Sequence, residues 1–129
     1  MNKAGIVWCV VYTEDTYHDL QRILNYIQDE LLEPETAANQ VDRIMDAADS
    51  LDHMPYRYRL YDKEPWRSKG LRLMPIDKFI IFYMPIETGA KRIVVIIRVM
   101  HSDQNADDIL NDYTISDDEF CKLTQDENN

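Results

Sequence analysis

The chain has 129 residues, 45% of them hydrophobic, and a formal net charge of −10. That length admits one domain with a real core, and no apolar run is long enough to cross a bilayer. The first ten residues lack the charged start, apolar middle and small-residue cleavage site of a signal peptide, so a cytoplasmic protein without membrane association is expected.

The positive charge is not spread evenly. Tyr56 to His101 holds 10 of the 14 Lys and Arg but only 4 of the 24 Asp and Glu, so this stretch is +6 and the remainder is −16. A mean acidic field repels phosphate, whereas a local basic block interleaved with aromatics reverses that over one surface. The two cysteines, Cys9 and Cys121, stand near opposite ends without metal-ligand or redox spacing, and no disulfide between them is expected in a reducing compartment.

Ile6 to Tyr12 (IVWCVVY) is apolar, β-branched and too short for a helix, which predicts a buried strand. Thr13 is placed to cap a helix whose first turn carries Glu14 and Asp15. Leu20, Ile23, Leu24, Ile27 and Leu31 then recur at helical spacing, leaving Asp19, Gln21, Arg22, Gln28 and Asp29 outward. Pro34 ends this helix and opens a second, with Ala37, Ala38, Val41, Ile44, Met45, Ala48 and Leu51 on one side, so a helical hairpin is expected. From Tyr56 to Gly70 the chain is polar, aromatic and basic, and reads as a long loop or irregular arm. Three strands follow, Leu71 to Met74, Lys78 to Met84 and Arg92 to Met100, the last two joined across Glu87-Thr88-Gly89-Ala90. These elements predict an α+β fold over residues 1–110, two helices packed on an antiparallel sheet of about four strands, followed by an acidic tail over 111–129. Residues 102–129 hold nine acidic side chains and one Lys. They read either as a solubilising tail or as an acidic arm that competes for the basic surface.

The segments VVYTEDTYHDLQRILNYIQDELLEPETAANQVDRI, SLDHMPYRYRLYDKEPWRSKGLRLMPIDKFIIFYM and VIIRVMH followed by DDIL resemble the RelE/ParE superfamily of bacterial type II toxins. The resemblance spans about residues 6 to 110 and rests mainly on G-L-R before one strand, F-Y late in the next and R-V-x-H at the end of the last. It implies a small α+β toxin neutralised by a cognate antitoxin. RelE-like members cut messenger RNA on the ribosome without a metal or other cofactor; ParE-like members share the fold but poison DNA gyrase. A silent module that binds only its antitoxin is a third reading, and a homodimer is compatible with all three.

Metal-free RNA cleavage needs a base for the ribose 2′-OH, cations for the pentacoordinate phosphate and an acid for the leaving oxygen. Arg72 and Arg98 are the candidate phosphate clamp, because a guanidinium offers a planar fork to phosphate oxygens. Alternation along the last strand places Val94, Ile96, Arg98 and Met100 on one face, where Arg98 could instead pair with Glu64, Asp77 or Glu87. His101 is the candidate general acid and Glu64 the candidate base, the alternative being an ordinary exposed histidine at a strand end. Arg57, Arg59, Arg67, Lys69 and Tyr83 are expected at the RNA, with Lys63 assisting by charge. Trp66, Tyr56, Tyr58 and Tyr61 either stack on bases or pin the arm to the sheet. Ser102-Asp103-Gln104-Asn105 stands where many relatives carry glycine and arginine, and Met84 where they often have arginine.

Overall fold

The computed structural model describes residues 6–111. The chain runs β1 (Cys9–Tyr12), α1 (Glu14–Asn25) continued by a π-helical turn (Tyr26–Glu30), α2 (Pro34–Asp49), short 3₁₀ turns at Ser50–Asp52 and Pro55–Arg57, α3 (Trp66–Lys69), β2 (Arg72–Ile76), β3 (Phe79–Thr88), β4 (Lys91–His101) and α4 (Ala106–Asn111). The strands form one sheet in the order β1-β4-β3-β2. The predicted α+β fold is present. The sheet is mixed, because β3 is antiparallel to β2 and β4 while β1 joins the edge parallel to β4. The acidic segment expected from 111 onward, Cys121 included, lies outside the described residues except for Asn111.

Local chemistry accounts for the element boundaries. Thr13 caps α1 by accepting a hydrogen bond from the Thr16 amide, and Glu14 and Asp15 occupy the first turn, where the helix dipole favours carboxylates. Pro34 stands in the first turn of α2, where its missing N–H has no cost. Gly89, at φ +60°, sits in the tight connection between β3 and β4, a backbone conformation that side chains with a Cβ rarely adopt.

Both faces of the sheet are covered. On one, Leu20, Ile44, Ala48 and Leu51 of the helical hairpin and its exit pack on Met74, Phe79, Ile81, Tyr83, Val94 and Ile96. On the other, Tyr61 and Trp66 of the arm, Leu71 just after it and Leu110 of α4 cover Leu73, Phe82, Met84, Ile93, Val95 and Ile97. This explains why Ile93 to Met100 is buried without interruption: a central strand sandwiched by two layers reads as a continuous apolar run.

The expected alternation along the last strand fails at one point. Tyr83 pairs with Ile96 but Phe82 with Arg98, so Ile97 is an extra residue in β4, and this bulge resets which side chains share a face. Val94 and Ile96 therefore face the hairpin whereas Met100 lies in the opposite core.

Candidate functional site

The arm, Tyr56 to Gly70, carries most of the predicted site and is held firmly. Leu60 bridges Arg72, the Tyr61 amide donates to the Leu71 carbonyl and the Leu73 amide to that of Arg59, so its middle lies beside β2 as a partial outer strand. Trp66 and Tyr61 are both buried, and the Tyr61 ring meets Phe82 edge-on at 5.7 Å. These two aromatics pin the arm to the sheet and do not offer a face to bases. Burial, aided by its hydrogen bond to Asp107, pushes the Tyr61 hydroxyl up to about 12. Asp107 also takes the Lys63 ammonium, which ties the arm to α4 and holds the Asp107 carboxyl below its usual range.

Arg98 is committed elsewhere. Its Nε donates to Asp19 Oδ2 at 2.7 Å and one terminal nitrogen to Asp19 Oδ1 at 2.8 Å, while the other donates to the Ile109 carbonyl at 3.2 Å. The Asp19 side chain is 3% exposed. Asp19, expected to face outward, is thus buried, and the Arg98 ion pair is with this residue, not Glu64, Asp77 or Glu87. Arg22 adds a second guanidinium contact to the same carboxylate.

The cause is topological. β1 ends at Tyr12, opposite Ile96, but β4 continues to His101, leaving backbone groups along its edge with no strand beside them. Polar side chains at intervals of three along the start of α1 replace that strand. Thr13 donates to the Ile97 carbonyl at 3.1 Å, Thr16 to the Ile96 carbonyl at 2.9 Å, and Asp19 accepts from the Val99 amide at 2.9 Å. Buried backbone groups must find partners, and this T-x-x-T-x-x-D spacing supplies them. The sequence does carry a signal for it: Asp19 lies four residues before Ile23 and so flanks the apolar face.

The other predicted residues do not converge. Arg72 donates to the Tyr56 and Tyr58 carbonyls and stacks on the Tyr56 ring at 5.1 Å, holding the root of the arm. Tyr83 is fully buried and its hydroxyl donates to the Pro55 carbonyl at 2.6 Å; desolvation pushes its pKa up to about 12, so it is removed from any ligand. Glu64 accepts from the Ser68 amide at 3.0 Å as a cap on α3, and that contact holds its carboxyl below the usual range, the wrong direction for a base. His101 pairs with Phe79, while Arg72 pairs with Tyr83, so the two stand four residues apart along β3 and on strands either side of it. At roughly 3.3 Å per residue their backbone positions lie about 13 Å apart along the sheet.

His101 itself accepts from the Asp103 amide through Nδ1 at 3.1 Å, with its ring edge-on to Phe79 at 5.4 Å. Arg57 folds back on the His53 and Met54 carbonyls and Ser50. Lys69 lies over the Trp66 ring at 5.2 Å. Arg59 and Arg67 are exposed, and among the described residues neither makes a salt bridge. Among the described residues no three His, Cys, Asp or Glu side chains are grouped to hold a metal, and no described helix is long and apolar enough to cross a membrane.

A helical hairpin on one face of a four-stranded mixed sheet, with an arm across the other, defines an α+β fold seen in solved toxin–antitoxin systems. The chain resembles a chain of the chromosomal ParDE system from P. aeruginosa with TM-score 0.61 and 18% identity, over 77% of this chain and 100% of that one. It resembles a chain of the RelBE2 toxin–antitoxin complex from Mycobacterium tuberculosis with TM-score 0.52 and 19% identity, over 77% and 97%. No curated protein matches it. Residues 10–106 match the model of the ParE toxin of the type II toxin–antitoxin system parDE, and the chain belongs to that family.

Proposed function

We propose that this toxin is neutralised by a cognate antitoxin and acts by binding DNA gyrase, not by cutting messenger RNA on the ribosome. The observation that carries this reading is the dispersal of the candidate catalytic groups. Arg98 is consumed by Asp19, Arg72 by arm carbonyls and Glu64 by the α3 cap, and His101 stands about 13 Å along the sheet from Arg72. Charge stabilisation and proton transfer act only on a phosphate within hydrogen-bond reach, so this dispersal argues against a shared scissile bond. The match of residues 10–106 to the ParE toxin family supports the same reading, because resemblance to ParE-like members implies a gyrase target.

Inducing the full chain without its antitoxin is expected to arrest growth, with DNA synthesis falling before translation, and the purified chain is expected to inhibit gyrase supercoiling. Cleavage of messenger RNA on purified ribosomes, with supercoiling untouched, would overturn this assignment.

The histidine provides a separate check. His101→Ala is expected to leave growth arrest within about twofold of the parent chain, whereas loss of a general acid would cost roughly 10² to 10⁴ in rate. Arrest kinetics at matched soluble protein levels distinguish the two.

A further inference from the structure

We infer that the basic outer surface of the arm is a docking site for the chain's own acidic C-terminal segment, residues 112–129. The arm from Tyr56 to Gly70 carries five cations and two carboxylates; residues 112–129 carry six carboxylates and one Lys. The complementarity is local, because the arm is the basic exception in an acidic chain.

The fold delivers the two charges to the same side. Arg59 alternates with Leu60 and so shares the side of Tyr61, whose ring lies in the core that Trp66 and Leu110 complete. Arg67 follows the buried Trp66 in α3 and is exposed. Leu110, one residue before the last described position, is fully buried in that core, so the chain leaves the domain from the arm's own face. The pairing has already begun at this root. Asp107 of α4 accepts from Tyr61 and from Lys63, an acidic side chain of the C-terminal element seated on the arm. Arg59 and Arg67 continue the cationic surface beyond it without a salt bridge among the described residues.

Reach is not limiting, since each of the 18 residues spans up to about 3.3 Å when extended. A tethered segment needs little intrinsic affinity, because a segment of the same chain meets the surface at an effective concentration on the order of millimolar. The acidic segment therefore shields Arg59 and Arg67 from other anions at low salt and releases them as salt screens the charges.

The test uses full-length protein. A variant carrying Asp112→Asn, Asp117→Asn, Asp118→Asn, Glu119→Gln, Asp126→Asn and Glu127→Gln is compared with the parent for binding of a synthetic peptide of residues 112–129, by fluorescence anisotropy. At low salt the variant is expected to bind the peptide about tenfold more tightly, with the difference vanishing near 0.5 M salt. Adding Arg59→Gln and Arg67→Gln to the variant is expected to abolish most of that gain, and both positions are exposed, so folding is preserved. In the parent, amide resonances of Arg59, Arg67 and Lys69 should move toward those of the variant as salt is raised, at a salt dependence independent of protein concentration. Equal peptide affinity for parent and variant, a gain that survives loss of both arginines, or a concentration-dependent shift indicating docking between copies would each overturn the inference.

Discussion

Asp19→Ala is expected to destabilise the fold by about 3 to 5 kcal/mol, because it removes the buried carboxylate that accepts two hydrogen bonds from the Arg98 guanidinium. The same change also removes the acceptor of the Val99 amide, an edge group that no strand covers. A domain of this size commonly has only about 5 to 15 kcal/mol of total stability, so urea unfolding should show a large shift in midpoint, and the melting temperature should fall by roughly 10 °C or more. Arg98→Met should cost less, since Asp19 keeps Arg22 and the Val99 amide. The double variant Asp19→Leu with Arg98→Met should recover part of the loss, because replacing a buried pair by apolar groups is often close to neutral. It should still fall short by about 1 to 3 kcal/mol, the cost of an unsatisfied buried amide. Equal, small effects for all three variants would mean that the pair is not the anchor of α1 on β4. The result also bears on function. Any toxicity lost in Arg98 variants should be lost equally in Asp19 variants of matched stability, which a phosphate-binding arginine would not produce.

Trp66→Ala should destabilise by about 3 to 5 kcal/mol, the usual range for removing a large aromatic from a core. Trp66 is 8% exposed and completes the layer over Leu73, Phe82 and Ile97. Its loss releases α3 and with it the segment that carries Arg59, Lys63, Arg67 and Lys69. Limited trypsin digestion should therefore cut the arm much faster in Trp66→Ala than in the parent. Arg67→Ala is the control, expected within about 0.5 kcal/mol because its side chain is exposed. If Trp66→Ala unfolded at the parent's midpoint with unchanged trypsin resistance, the arm would be held by something other than this ring.

Much of the fold is legible in the residues alone, for reasons that are local. β-branched runs, helical spacing of Leu20, Ile23 and Ile27, the Thr13 cap and Pro34 at a helix start each act through neighbours within a few positions, so a reader of the sequence meets cause and effect together. The glycine-containing connection before β4 and the basic, aromatic character of the arm belong to the same group. The α+β class follows from the order of these elements.

What the sequence left undecided depends on contacts between distant segments. Which partner Arg98 takes is set by where β1 stops beside β4, and no local pattern encodes that a four-residue strand lies against an eleven-residue one. The burial of Asp19 arises from that mismatch in length, and the parallel β1–β4 pairing and the one-residue bulge at Ile97 are likewise set between segments far apart in the chain. Hydrogen-bonding groups exposed by a missing strand segment must be satisfied from whatever element packs there, and only the tertiary structure places α1 in that position. The site residues followed the same rule. Residue type alone made Arg72, Arg98, Glu64 and Tyr83 chemically eligible for phosphate or base contact, whereas their distances to one another and to backbone carbonyls, set by strand register and packing, directed their polar groups into holding the fold together.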